Sequence, residues 1–334
     1  MNNLTGTVRA ERVAWIDFLK VFLCIGIVLR HAELVGIPLT DTASRLDRGM
    51  MLFSELFVPM FFVLSGFLFF RNVPPEPSPS FFWGKLWKRV FSLLIPYLIA
   101  NVLAWLCYWA AYRFAPSMMA GFLGDNWKNP LFVFWTGPVN LSLWFIRDLF
   151  IAVLCAPLTW ILVRYTRFWG VLALGLVWYF MGMRPWYNFY FTLGAWAAVW
   201  HADVASHCQK AGPWLLLVYI CTFAAAMKDA SLTNLSILSG LPLLVALSAG
   251  ACEKGSLEIS PGWQAWCFFM YLYHYIPELV LKRLCTRFCP LDSSWQLILA
   301  FLAITLLTLA LVSAVYYLMK KTLPGVLQFV TGGK

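Results

Sequence analysis

The sequence predicts an all-α integral membrane protein, a polytopic bundle of about ten transmembrane helices. Three observations lead to this prediction. Hydrophobic residues make up 61% of the 334 residues and charged residues only 12%, which is about half the charged share of a soluble domain. The mean hydropathy of the whole chain is +0.74. Apolar runs recur along the chain, and most are close to the length of about 20 residues that crosses a bilayer core as a helix.

The predicted spans follow one another with short polar connections. They are Val13–Leu34, Met50–Phe70, Val90–Tyr112, Leu141–Val163, Phe168–Met183, Tyr187–Val204, Pro213–Met227, Leu235–Ala251, Trp263–Leu281 and Trp295–Met319. The proline-rich segment Pro74–Pro79 is predicted to lie outside the hydrocarbon, because its backbone needs water. No internal repeat or low-complexity tract interrupts the pattern. We therefore expect residues 1–334 to form one transmembrane domain without an appended soluble domain.

The basic residues predict the orientation of the bundle, because Lys and Arg concentrate in cytoplasmic loops. A cytoplasmic N-terminus puts more of them on the inner face than on the outer face. An even number of spans returns Lys320 and Lys321 to the inner face, so both termini are predicted to be cytoplasmic. Lys282, Arg283 and Arg287 break the rule, which indicates either a miscounted span or a specific role. The formal net charge of +10 thus reflects topology, and no nucleic-acid partner is predicted.

The nine cysteines do not predict a metal centre. Most of them lie within the apolar runs, where a free cysteine behaves as a small hydrophobic residue. Only Cys285 and Cys289 fall close together in a predicted loop, and no spacing of Cys is typical of a zinc site. We therefore expect no metal cofactor.

A few ionisable residues fall inside the predicted spans, where each costs roughly 2.5–3.5 kcal/mol on insertion scales. Lys20 and His31 are separated by about 1100° of helical rotation and about 16.5 Å of rise, so they lie on one face of the first helix. Asp17 precedes Lys20 by one helical turn, within ion-pairing reach. Two interpretations remain open. In the first, Asp17 and Lys20 form an ion pair at the interface and His31 is a packed histidine. In the second, the helix face that carries Lys20 and His31 is functional.

His31 is a candidate general base, because histidine changes protonation near neutral pH. Asp17 cannot orient it, since about 21 Å of helix separates the two residues. The orienting group must therefore lie elsewhere, and the sequence leaves four candidates unranked. These are Glu33, Glu55, Ser65 and Asp148.

Several stretches resemble a known family in their order along the chain. They are Arg12–Lys20 with His31 after ten further residues, Phe61–Leu68, Lys85–Arg89 followed by Ile95–Tyr97, Leu143–Ile146 and, more weakly, Tyr271–His274. Together they resemble the acyltransferase 3 family, ten-helix membrane acyltransferases that modify surface polysaccharides. The first helix of that family carries a basic residue, ten intervening residues and a histidine. The basic residue is usually Arg and here is Lys20, which keeps the charge but loses the bidentate geometry.

The resemblance implies that His31 is the catalytic histidine, which activates an acceptor hydroxyl as a general base. It implies that cations near the cytoplasmic face hold the phosphates of an acyl-CoA donor; these are Lys20, Lys85, Lys88 and Arg89. Supporting roles are expected for Asp17, Glu55, Ser65, Trp144, Arg147, Asp148 and His274. The implied acceptor is a hydroxyl of a sugar or surface polysaccharide, free or lipid-linked, outside a bacterial cytoplasmic membrane. Family precedent favours acetyl as the acyl group, and hence acetyl-CoA as the donor.

Five of these assignments have a structural alternative that the sequence leaves open. The alternatives are a topology signal for Lys85–Arg89, helix packing for Ser65 and Gly66, an interfacial anchor for Trp144, an internal salt bridge for Arg147 with Asp148, and core packing for His274.

Two other function classes fit the same features. Intramembrane Asp, Lys, Glu and His also line transport pathways, so a transporter or flippase for a glycan or small solute is the alternative. Against it, no paired broken helices stand in corresponding halves of the sequence. A non-catalytic membrane partner of a polysaccharide enzyme would not depend on His31. Acyl-CoA discriminates between an acyltransferase and a transporter, because an acyltransferase consumes it and a transporter is insensitive to it.

Overall fold

The computed structural model describes residues 14–33, 41–114, 137–180, 185–201, 203–253, 262–291 and 293–333. Within these ranges the regular structure is helical and no β-strand occurs, which confirms the predicted all-α class. The helices of the first half are α1 (Ala14–His31), α2 (Asp41–Ser54), α3 (Phe57–Phe70), α4 (Pro79–Arg89), α5 (Ile95–Phe114), α6 (Trp144–Leu154), α7 (Ala156–Thr166) and α8 (Phe168–Phe180). Those of the second half are α9 (Pro185–Trp200), α10 (Val204–Lys210), α11 (Gly212–Lys228), α12 (Thr233–Glu253), α13 (Gly262–Tyr273), α14 (Tyr275–Phe288), α15 (Ser294–Thr322) and α16 (Pro324–Val330).

Within the described part of the chain, four helical stretches are long and apolar enough to cross a membrane. They are Ser44–Phe70, Pro79–Phe114, Ala230–Glu253 and Ser294–Thr322. Two bent pairs, α6 with α7 at 63° and α10 with α11 at 76°, raise the number to six if each pair is one span. α1 is less apolar, because it carries Asp17, Lys20 and Arg30. The chain is thus an integral membrane protein. The count of ten spans and the cytoplasmic placement of both termini stay predictions, and the predicted end at Met183 lies outside the described residues.

Prolines and capping side chains fix where several helices begin. Pro157 and Pro213 lie in the first turns of α7 and α11, where a missing backbone N–H costs no helical hydrogen bond. Ser78, in the proline-rich segment, accepts a hydrogen bond from a backbone N–H in the first turn of α4. α15 begins with a capping box, in which Ser293 and Gln296 each accept a hydrogen bond from the other's backbone N–H. Both bent pairs thus have a proline directly after the bend.

α3 and α9 pack with their backbones in close contact. A Cβ atom on Gly66 would overlap the carbonyl oxygen of Phe191, and one on Gly194 would overlap the carbonyl oxygen of Val63. Small residues permit such an approach between membrane helices, so both positions require glycine. The packing role predicted for Gly66 is confirmed.

α1 lies in the middle of the bundle, where it contacts α3, α12, α13, α14 and α15. The predicted span Trp263–Leu281 is not one continuous helix, because a bend at His274 divides it into α13 and α14. Pro277 explains the bend: it lacks the N–H that would bond the carbonyl of Tyr273, and its ring crowds that carbonyl. The bend brings His274 beside His31, the last residue of α1.

Candidate active site

His31 and His274 meet where α1 ends and α13 bends into α14. Their ring centroids are 5.4 Å apart, with an angle of 43° between the ring planes. The ring of Tyr275 packs edge-on against His31 at 5.6 Å. We call His31 and His274 the two-histidine centre. His274 was expected to be either a site residue or a residue of the packed core. Its position beside the candidate base fits a site residue.

Backbone carbonyls fix the tautomer of His274. Its Nδ1 lies 3.0 Å from the carbonyl oxygen of Met270 and 3.1 Å from that of Tyr271. A carbonyl oxygen only accepts hydrogen bonds, so Nδ1 must carry the hydrogen, and Nε2 of the neutral ring presents a lone pair. Nε2 is buried and has no hydrogen-bond partner among the described residues. It is therefore available to accept a hydrogen bond beside His31.

A stripe of polar residues on α14 faces the end of α1. Glu278 lies one helical turn after His274, and its side chain is buried without a hydrogen-bond partner for either oxygen among the described residues. Lys282 lies one turn further and donates a hydrogen bond from Nζ to the backbone carbonyl oxygen of His31 at 3.1 Å. We call His274, Glu278 and Lys282 the α14 stripe. Sequence reasoning did not place Glu278 or Lys282 in the site, although successive spacings of four residues from His274 to Glu278 and on to Lys282 are a signal of a shared helix face.

Arg30 binds two of the carboxylates that were suggested as orienting groups for His31. Its guanidinium lies 2.9 Å from Glu33 and 3.3 Å from Glu55, and it also contacts the sulfur of Met51. Arg30 therefore links α1 to the end of α2 through Met51 and Glu55. Glu55 thus supports the position of α1, and its carboxylate pairs with Arg30 and not with His31.

A cavity of about 280 Å³ lies further along α1, between α3, α6 and α13. Its polar lining comes from Lys20, Ser65, Arg89, Gln264 and Tyr271, and most of its other walls are Phe, Leu, Ile and Val side chains. We call it the Lys20 cavity. An apolar chamber with two cations suits a ligand that has an apolar arm and a negatively charged end.

Asp17 anchors the charged end of this cavity. Its carboxylate lies 3.7 Å from Nζ of Lys20 and accepts a hydrogen bond from Gln264 at 2.6 Å. The ion pair predicted from the spacing of Asp17 and Lys20 is confirmed. Because Asp17 is buried and Gln264 belongs to α13, the pair also joins α1 to α13 at the level of the cavity.

The four cations predicted to hold a donor do not lie together. Lys20 and Arg89 line the Lys20 cavity. Lys85 instead donates a hydrogen bond to the carbonyl oxygen of Phe69, and its amine lies 4.7 Å from the centre of that aromatic ring. Lys88 is exposed and is not among the residues that line the cavity. Lys85 therefore caps the last turn of α3, a role for which its sequence position gave no signal.

The predicted supporting residues of α6 lie beside the same region. Arg147 and Asp148 form a salt bridge of 2.8 Å, and Asp148 is buried, as the structural alternative for this pair predicted. The ring of Trp144 packs against Tyr187 at 4.6 Å between ring centroids. Of the neighbouring residues, Phe145 lines the Lys20 cavity. The segment thus contributes a wall of the cavity and a buried ion pair behind it.

A buried polar network that sequence reasoning missed joins the segment directly before α6 to α13. Asn140 donates a hydrogen bond to the carbonyl oxygen of Leu272 at 2.9 Å and accepts one from the hydroxyl of Ser142 at 2.6 Å. The hydroxyl of Tyr271 donates to the carbonyl oxygen of Ser142. Tyr271 also lines the cavity, and its ring centroid lies 6.3 Å from that of His274. Tyr271 therefore adjoins both the Lys20 cavity and the two-histidine centre.

A histidine pair at the end of a central helix and a cation-lined apolar cavity beside the same helix suit a membrane-embedded acyltransferase, and comparison with known proteins assigns the chain to that class. Residues 13–317 match the model of a family described as an acyltransferase domain. The chain belongs to this family, as the resemblance predicted.

A curated relative matches part of the chain. It is the succinoglycan biosynthesis protein ExoH of Rhizobium meliloti (strain 1021), which is 30% identical over 168 residues, covering 46% of this chain and 44% of the relative. The chain therefore spans less than half the length of this relative in the match. No solved structure matches the chain.

Proposed function

We propose that the protein transfers an acyl group, most simply acetyl, from cytoplasmic acyl-CoA to a hydroxyl of a sugar or surface polysaccharide outside the cytoplasmic membrane. The observation that carries this proposal is the pairing of His31 with His274 at one end of α1, while Lys20 lines a cavity at the other end. The helical rise between Lys20 and His31 is about 16.5 Å. A separation of that order suits an extended thioester arm.

In this proposal the Lys20 cavity receives the donor. Lys20 and Arg89 hold the negatively charged phosphates, for which cationic side chains are the natural partners. The apolar walls receive the arm that carries the thioester. Lys85 and Lys88 lie outside the cavity, so their contribution is limited to the position of α3 and to the charge of the inner surface.

His31 acts as the general base. It takes the proton of the acceptor hydroxyl while the hydroxyl oxygen attacks the thioester carbonyl carbon. The tetrahedral intermediate then collapses, the carbon–sulfur bond breaks, and the thiolate of CoA receives the proton that His31 holds. The products are an ester and CoA, and His31 returns to its neutral form. Nε2 of His274 accepts the second N–H of His31 and so orients its ring.

The acceptor is assigned from chemistry and relationship. The partial relative is named for the biosynthesis of succinoglycan, which supports a polysaccharide or its lipid-linked precursor as the acceptor. A polyhydroxyl acceptor also offers the hydroxyl that a general base requires. The bacterial cytoplasmic membrane is the compartment that gives access to acyl-CoA on one face and to surface glycans on the other.

A His31→Ala variant tests the proposal. The surface polysaccharide of the producing strain should lose its alkali-labile acyl groups when the gene is deleted, regain them with the wild-type protein, and remain without them with His31→Ala. His207→Ala is the matched control, because His207 is exposed and pairs with Asp203. Full acylation by His31→Ala, at wild-type protein levels in the membrane, would exclude His31 as the base.

Acyl-CoA separates this proposal from transport. Membrane vesicles that contain the protein should release CoA from acetyl-CoA only when de-esterified polysaccharide of the same strain is added. Counterflow of a glycan without any consumption of acetyl-CoA would instead indicate a transporter or flippase.

A further inference from the structure

Glu278 is the buried polar residue of the site that the mechanism above does not use. Its side chain is 1% exposed, and neither of its oxygens has a hydrogen-bond partner among the described residues. A carboxyl group buried without donors is costly. Such a residue is therefore expected to gain a donor in the working state of the protein.

The α14 stripe places Glu278 at the level of His31. His274, one turn before Glu278, packs its ring against the ring of His31. Lys282, one turn after Glu278, donates a hydrogen bond to the backbone carbonyl of His31. Four residues advance a helix by about 6 Å, so Glu278 lies between two points that both contact His31.

Resting on the proposed function, we propose that Glu278 is a positioning residue that stabilises the protonated two-histidine centre. When His31 holds the proton of the acceptor, the two-histidine centre carries a positive charge, and the carboxylate of Glu278 supplies a compensating negative charge beside it. No bond to Glu278 forms or breaks. Lys282, which interacts electrostatically with Glu278, balances the carboxylate while the histidines are neutral.

The charged surroundings leave this role to Glu278. Glu33 and Glu55 both pair with Arg30, so each of those carboxylates is already engaged by a guanidinium. The titratable and charged groups that surround the centre among the described residues are Arg30, His31 and Glu33 at the end of α1, Tyr108 on α5, His274 at the bend, and Tyr275 and Lys282 on α14. Glu33 is the carboxylate in this set besides Glu278 itself, and it is bound to Arg30.

A Glu278→Gln variant tests the proposal in the full-length protein. Transfer from radiolabelled acetyl-CoA to de-esterified surface polysaccharide of the producing strain is measured in membrane vesicles across pH. A favourable interaction with a charged group contributes about 1.5–3 kcal/mol, which corresponds to about 10–100-fold in rate, so kcat should fall in that range while KM for acetyl-CoA stays within twofold. The acid limb of the kcat profile should also move to lower pH, because the protonated histidine is less stable without the carboxylate.

Two further variants make the result decisive. Glu278→Asp keeps the negative charge and should keep the wild-type acid limb with a smaller loss of kcat. Glu253→Gln is the control, because Glu253 bonds Gln209 at the end of α12, away from the site. A wild-type kcat and acid limb for Glu278→Gln would overturn the proposal, as would equal losses for Gln and Asp with no movement of the limb. If Glu278→Gln cannot be recovered from membranes, Glu278→Ala takes its place, and a wild-type kcat and acid limb for Glu278→Ala would overturn the proposal.

The outcomes also separate this inference from the proposed function. If His31→Ala abolishes transfer and Glu278→Gln transfers normally, only the role of Glu278 is wrong. If the wild-type protein transfers no acyl group, or His31→Ala transfers as well as the wild type, the proposed function itself is wrong.

Discussion

The Nζ atom of Lys282 lies 3.1 Å from the backbone carbonyl oxygen of His31, so a cation from α14 ends the helix that carries the candidate base. The last carbonyls of a helix lack intrahelical donors, and a cation there also interacts favourably with the helix dipole. This contact gives a defined role to one of the three basic residues that break the predicted charge rule. The apparent violation of the charge rule by Lys282 is therefore a feature of the site.

Replacing Lys282 with Met should lower kcat without changing KM for the donor. A hydrogen bond from a charged group contributes about 1.5–3 kcal/mol, so loss of this contact should reduce kcat by about tenfold or more as His31 loses its fixed position. Lys282→Arg should retain most of the activity, because it can still donate to the carbonyl. The measurement is acyl transfer in vesicles at matched protein levels. Equal activity of the Met and Arg variants would contradict a positioning role for the amine.

The split among the predicted donor cations gives a second test. Lys20→Met combined with Arg89→Met should raise KM for acetyl-CoA by about tenfold or more, since each charged hydrogen bond is worth about 1.5–3 kcal/mol. Lys88→Met is the control and should leave KM unchanged, because Lys88 is exposed and does not line the cavity. Donor binding can be checked independently by displacement of labelled acetyl-CoA. A larger effect of Lys88 than of the pair would place the donor elsewhere.

The fixed tautomer of His274 predicts different outcomes for two substitutions of similar size. Gln can place an acceptor oxygen where Nε2 of His274 lies, whereas Asn reaches only the position of Nδ1. We therefore expect His274→Gln to keep more transfer activity than His274→Asn, by about tenfold for one hydrogen bond. Both variants should bind acetyl-CoA like the wild type. If Asn is the better replacement, the functional nitrogen is Nδ1 and the assignment of the tautomer is wrong.

The contact between α3 and α9 predicts a loss of stability that is independent of catalysis. Gly194→Ala would push a Cβ atom into the carbonyl oxygen of Val63, and overpacking of this kind typically costs about 1–3 kcal/mol. The melting temperature of the purified protein should fall, and less protein should accumulate in the membrane. Gly84→Ala is the control, because a Cβ atom on Gly84 meets no other atom within 4 Å. Equal melting temperatures for both variants would show that the helices adjust.

The sequence was sufficient for the helical class, the shared face of Lys20 and His31, and the ion pair with Asp17. These features depend on composition and on spacing within one helix, both of which are local. The pairing of His31 with His274 is not local, since more than two hundred residues separate them in the chain. The pairing depends on the bend caused by Pro277. A proline inside an apolar run predicts a break in the helix but does not predict which other helix packs against that break.

The same limit explains the residues that were placed differently. Lys85 and Arg89 are one turn apart and look equivalent in the sequence, yet Lys85 bonds the end of α3 and Arg89 faces the cavity. Glu55 is a plausible partner for His31 until the structure brings Arg30 to it. The choice among several possible partners is made by tertiary packing, so the sequence could supply the candidates and could not rank them.

Tyr271 performs two tasks with one residue. Its side chain forms part of the wall of the Lys20 cavity, and its backbone carbonyl helps to fix the hydrogen on Nδ1 of His274. We therefore expect an occupant that shifts this side chain to displace the carbonyl that holds the hydrogen on Nδ1 of His274. On this expectation, occupancy of the Lys20 cavity and the tautomer of His274 are coupled through a single residue, without any movement of a domain.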